Sequence, residues 1–249
     1  MDFNNSIANI LRPVTTTRAN RHEWRLQPDA FDDDLELFEQ ERLALKANVL
    51  YVHGFASSGN SGTAATIQKY LPNCRVIAPD LPIDPNEALM LLRKIIAEQK
   101  VDVVVGTSMG GMFAQKLRGI PKVLVNPSFH VSESMKNKIG VVPFFKKRQD
   151  GASEFEVTPQ LCDAYKAIET PQFDNIDEHE KSITYGLFGT EDDVINCEEE
   201  YSRYYPKKMI FFGGHRLSEK VIHDYVIEAI LILLQDKISK SNLTSMDNQ

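Results

Sequence analysis

Three cysteines in 249 residues leave little scope for covalent staples. Cys74, Cys162 and Cys197 are odd in number, far apart and in no C-x-x-C pair. That excludes a disulfide framework and a cysteine-based zinc site, and it fits a reducing compartment. Long apolar runs are also missing. Near the C-terminus the longest uninterrupted one, residues 229–234, is far shorter than the roughly 20 residues a membrane-spanning helix needs. Residues 1–5 carry neither a basic region nor an apolar stretch, so no signal peptide is expected and the cytoplasm is the expected location. Positive charge is in the minority, with 28 Lys and Arg against 35 Asp and Glu, a net charge of −7. Nucleic acid and anionic membranes are therefore not the expected partners. Neither a Walker lysine nor a G-x-G-x-x-G run is found, which disfavours nucleotide binding. No cofactor and no metal is expected.

What the chain does hold is enough apolar content, 42%, for one large α/β domain. Residues 1 to about 30 are polar and aperiodic, and Asp32, Asp33 and Asp34 then introduce a helical pattern with Leu35, Phe38 and Leu45. Residues 1–47 read as an extension packing on the domain, 48–237 as the domain itself, and 238–249 as a polar tail. Apolar strands are expected at 48–52, 75–78, 101–105, 122–125, 183–188 and 208–212. Helical patterns separate them, one of which opens with Asp84 as N-cap and Pro85 in its first turn. Right-handed crossovers would make all six strands parallel, with helices on both faces. Chemistry in such sheets gathers at the strand C-terminal ends. His53, Ser108, Asp192 and His215 all fall just past such an end.

Ser108 lies in Gly106-Thr107-Ser108-Met109-Gly110, a G-x-S-x-G turn between an expected strand and an expected helix. Gly106 and Gly110 let strand and helix approach closely, which lifts the serine above the sheet edge. Ser108 is thus the candidate nucleophile, and it needs a base. Among His22, His53, His130, His179, His215 and His223, the best candidate is His215, which follows the last strand beside a glycine pair. Asp192 is the preferred acid partner over its neighbour Asp193, and the order Ser, Asp, His fits. The Met109 N–H and the Phe55 N–H are the expected oxyanion donors, the latter on the loop His53-Gly54-Phe55. His53 is expected to brace that loop by hydrogen bonding, with Gly54 beside it as part of the support.

Taken together, His53-Gly54-Phe55-Ala56-Ser57-Ser58, Gly106-Thr107-Ser108-Met109-Gly110-Gly111, Asn126-Pro127, Gly189 to Ile195 and Gly213-Gly214-His215 resemble the α/β-hydrolase superfamily. More narrowly they resemble the small bacterial YqiA-like esterases, over about residues 48–235. The resemblance implies an α/β-hydrolase fold, a mostly parallel sheet of about six strands with helices on both faces. Residues 128–181 are too long for a plain connection and are expected to form a small helical lid. The resemblance also implies that Ser108, Asp192 and His215 form a triad that hydrolyses a small-molecule carboxylic ester. Thioester or amide hydrolysis would share this machinery, and a non-catalytic binding protein on the same scaffold is the alternative from another class. Oligomeric state is left open. Within the insertion, Val141-Val142-Pro143-Phe144-Phe145 precedes Lys146-Lys147-Arg148. The preferred reading is a lid helix packing its aromatics beside a solvated charge run, against an apolar acyl pocket with a basic rim.

Overall fold

A computed structural model describes residues 31–235. The expectations for residues 1–30, His22 included, and for the tail from 238 fall outside the described residues. The chain divides after Gln40, inside the first described helix, α1 (Phe31–Ala44). The larger unit begins at Glu41 and contains every strand among the described residues.

Six strands form one sheet: β1 (Asn48–Val52), β2 (Arg75–Ile77), β3 (Val103–Thr107), β4 (Lys122–Val125), β7 (Thr184–Gly189) and β8 (Lys208–Phe211). Their spatial order is β2-β1-β3-β4-β7-β8, and every pairing is parallel. Val103, Val104 and Val105 are fully buried, as are Val123, Leu124 and Val125, because helices cover both faces. Each such side chain contributes about 1.5–3 kcal/mol relative to exposure. On one face lie α3 (Pro85–Gln99), α4 (Met109–Gln115) and α6 (Pro159–Glu169), whose Leu89, Leu92, Phe113 and Tyr165 share a core with Leu50 and Val104. On the other, α2 (Gly62–Tyr70) packs against the C-terminal helix α9. That helix runs Glu219–Val221, passes through a π-helical stretch Ile222–Ile227, and ends as Glu228–Leu233. Asp84 accepts from the Asn86 and Glu87 N–H groups at the start of α3, with Pro85 in the first turn.

Strand β3 starts two residues later than its sequence suggests. Lys100 ends α3 with φ of 50°, the Val101 N–H still bonds back to the Ile96 carbonyl, and Asp102 accepts from the Asn48 N–H. Those two residues are therefore connection, and the strand gains Gly106 and Thr107 instead.

The insertion after β4 is helical at both ends, with α5 (Val131–Lys136), α6 and α7 (Glu178–Ser182). Its middle is not. Residues expected as a lid helix form an antiparallel hairpin of β5 (Gly140–Pro143) and β6 (Glu154–Val157). The reason is a period of two: Val141, Pro143 and Phe145 face outward while Val142 and Phe144 turn in, against Phe155. Pro143 at the strand end loses no ladder donor that matters. One further helix, α8 (Glu198–Ser202), precedes β8.

Candidate active site

The turn from β3 into α4 is tight enough to dictate its sequence. A Cβ on Gly106 would lie 2.2 Å from the Gly110 carbonyl oxygen, and one on Gly110 would lie 2.0 Å from that of Val52. Ser108 takes φ 56° and ψ −122°, a conformation that costs a non-glycine residue about 1–3 kcal/mol. Its own backbone is held on both sides. The Ser108 N–H donates to the Val125 carbonyl at 3.0 Å, and its carbonyl accepts from the Gly111 and Ser128 amides.

His215 follows β8 and Asp192 follows β7. Ser108 Oγ lies 3.1 Å from His215 Nε2, and His215 Nδ1 lies 2.8 Å from Asp192 Oδ2. In the tautomer this chain requires, Ser108 donates to Nε2 and Nδ1–H donates to the carboxylate. The other oxygen of Asp192 accepts from the Val194 and Ile195 N–H groups, both at 2.9 Å, so the carboxylate has no rotational freedom left. Its side chain is only 3% exposed, whereas Asp193 is exposed.

Asn126 has no role of its own in the sequence reading, yet it touches both loops. It directly follows β4, which lies between β3 and β7, with φ of 42° and little exposure. Its Oδ1 accepts from the Gly189 N–H at 2.8 Å, and its Nδ2 donates to the Gly214 carbonyl at 3.2 Å. Gly189 leads into the Asp192 loop and Gly214 adjoins His215. An asparagine at a strand end is the only local signal, since its partners are distant in sequence.

The loop after β1 brings His53, Gly54 and Phe55 beside Ser108. His53 is buried; its Nδ1–H donates to the Gly54 carbonyl at 2.9 Å and its Nε2 accepts from the Leu81 N–H at 3.2 Å. Burial pushes its pKa below the usual 6.5, which favours the neutral ring that braces this loop. No hydrogen bond among the described residues engages the N–H of Phe55 or of Met109. Both residues line the cavity that contains Ser108.

That cavity is about 1090 Å³ and is also lined by Thr63, Val131, Met135, Phe145 and Ile222. Behind Phe55 and Met109 lies a second, apolar space of about 20 Å³, walled by Leu81, Phe155 and Tyr165. Of the Lys146-Lys147-Arg148 run, only Lys146 reaches the large cavity. Arg148 is buried, bonded to Asp150 and to the Leu81 carbonyl, and its guanidinium lies 4.6 Å over the Phe144 ring. Among the described residues no cluster of His, Cys, Asp and Glu could hold a metal, and no helix is long and apolar enough to cross a membrane.

A parallel sheet with a serine turn after β3, and loops carrying Asp192 and His215 after its last two strands, is an α/β-hydrolase fold. Est1E from Butyrivibrio proteoclasticus has a similar structure, with a TM-score of 0.56 and 14% identity over 76% of this chain and 88% of that one. So does a solved structure of one of the metagenome-derived lipolytic enzymes LipS and LipT, with a TM-score of 0.50 and 16% identity over 78% of this chain and 93% of that one. At such identities the likeness is one of fold. Within that superfamily, the chain belongs to the Uncharacterised protein family (UPF0227), whose model matches residues 48–232. A UPF0227 protein of Shewanella sp. (strain ANA-3) is 30% identical over 102 residues, 36% of this chain and 56% of that protein. One of Shewanella oneidensis is 29% identical over 102 residues, with the same coverage. The match thus spans about half the length of these relatives.

Proposed function

We propose that the chain is a serine hydrolase that cleaves a carboxylic ester through an acyl-enzyme. The observation that carries this reading is the hydrogen-bonded line from Ser108 through His215 to Asp192, opening into a cavity beside two unengaged amides. Ser108 Oγ attacks the carbonyl carbon while His215 Nε2 takes its proton. Asp192 holds the ring and stabilises the imidazolium that forms. The oxyanion accepts from the Met109 and Phe55 N–H groups, one such donor being worth about 10²–10³ in rate. Collapse breaks the ester C–O bond, and the alcohol leaves with the proton from His215. Water then attacks the acyl-enzyme by the same relay, which releases the acid and restores Ser108. The lipolytic activity of LipS and LipT is in keeping with this reading.

Ser108→Ala is expected to lower turnover of p-nitrophenyl butyrate by at least about 10⁴-fold and to abolish fluorophosphonate labelling. Its melting temperature should stay close to the parent's, because alanine keeps the Cβ and with it the same backbone strain at φ 56°. Turnover retained in that variant would overturn the proposal. Acyl-CoA and anilide substrates assayed alongside distinguish ester from thioester and amide cleavage.

A further inference from the structure

Three cations from three separate segments converge on the cavity of Ser108. Lys138 follows α5, Lys146 lies in the hairpin turn after β5, and Arg216 follows His215. All three are exposed, and none has an ion-pair partner among the described residues. Several other surface cations are neutralised by a neighbour, although Arg75, Arg93 and Lys100 also have no ion-pair partner among the described residues. Lys69, Lys166, Lys181, Arg203 and Lys208 each pair with a carboxylate. Two carboxylates line the same cavity, but Glu219 is occupied by Lys69 Nζ and Tyr70 Oη, which leaves Asp193 alone. An excess of unpaired positive charge around one cleft, on a chain of net charge −7, runs against the molecule's own background. Apolar walls focus such a field into the cleft and draw anions toward it.

We infer that the substrate is an ester of a short apolar acyl group with an anionic alcohol, its carboxylate or phosphate held by Lys138, Lys146 and Arg216. This rests on the reading of Ser108 as nucleophile. Two spaces set the direction, the cavity lined by Ser108 and the apolar one behind its neighbour Met109. The apolar space behind Met109 and Phe55 is about 20 Å³, room for about one methyl-sized group. A charged group there would be desolvated, with Arg148 already committed to Asp150 and the Leu81 carbonyl. The acyl chain therefore belongs on that side, and the leaving alcohol extends into the wide cavity where the cations stand.

The test compares phenyl acetates carrying a para carboxylate, a para phosphate or a neutral para carboxamide, each rate divided by that ester's own hydroxide-catalysed rate. The normalised kcat/KM of the anionic esters is expected to exceed that of the neutral one about 10-fold at low salt, and to approach parity at high salt. The carboxylate and phosphate arms show which anion the rim prefers. In the Lys138→Glu/Lys146→Glu protein, the ratio of anionic to neutral kcat/KM should fall at least about 10-fold, with its fold checked by circular dichroism. Neutral and anionic esters cleaved alike by the parent, or a ratio unmoved in the folded double variant, would overturn this inference and leave the hydrolase reading standing. If no ester is cleaved and fluorophosphonate fails to label Ser108, both fall together.

Discussion

Asn126 shows why single residues differ in how openly a sequence declares them. Its amide spans the loop that carries Asp192 and the loop that carries His215, so one side chain ties the two loops together. Asn126→Asp keeps an acceptor for the Gly189 N–H and loses the donor to Gly214. Asn126→Gly tolerates φ of 42° but loses both bonds. If the residue positions His215, kcat should fall about 10-fold in the first variant and about 10²-fold in the second, with KM little changed. A purely structural residue would instead lower the melting temperature and leave kcat per folded molecule intact, and that measurement separates the two. Ser108 was legible because its constraint is local: two glycines forced by contacts of 2.2 and 2.0 Å lie within four residues of each other. His215 and Asp192 were legible as residues just past strand ends. Asn126 was not, because its two partners lie 63 and 88 residues away.

At the scale of elements, the strands of the sheet were readable where a run of β-branched residues is buried on both faces, as in β4 with its Lys122–Val125 bounds. The hairpin was not. Val141 to Phe145 is an unbroken apolar run, and only the alternation of Glu154, Phe155, Glu156 and Val157 betrays a ribbon. Two strands alone are marginal in water, so outside contacts must hold the hairpin. They are concentrated in its turn. Arg148 bonds the Leu81 carbonyl, Asp80 accepts from the Gln149 N–H, and the Phe145 N–H donates to the Ala56 carbonyl at 2.8 Å. The same guanidinium holds the Asp150 carboxyl down at about 2, below its ordinary 3.8. Arg148→Met keeps the apolar cover over Phe144 and removes every one of those Arg148 bonds. Hydrogen exchange at the Phe145 and Gln149 amides should then accelerate at least about 10-fold, while amides of β3 and β4 keep their protection. Uniform acceleration across the sheet would show instead that the hairpin is part of the global folding unit.

Across the whole molecule, the two ends of the sheet divide the labour. Strained backbone and the Ser108 cavity lie at the strand C-terminal ends, so stability must be secured elsewhere. At the opposite end, Lys122 opens β4 with its side chain fully buried, and its Nζ bonds both oxygens of Glu180 at 2.9 and 2.8 Å. Glu180 also accepts from the Gly119 N–H at 2.7 Å. Burial nonetheless pulls the Lys122 pKa from 10.5 to about 8, so desolvation outweighs the pull of Glu180. Lys122→Met leaves a carboxylate buried without its main counter-charge and should cost about 3–5 kcal/mol in urea unfolding. Lys122→Met/Glu180→Leu should recover that loss or exceed the parent, since neither charge then needs solvation. The pH dependence has a definite sign. Between about 8 and 10.5 the unfolded chain keeps the lysine proton that the folded chain has released, so the parent gains stability as pH rises. The double variant lacks that term, and its stability curve should be flatter over the same window. Because the pair lies at the far end of the sheet from Ser108, kcat per folded molecule should be the same in parent and double variant. A drop in kcat at unchanged stability would mean that the two ends are coupled through β4 and Asn126, which directly follows it.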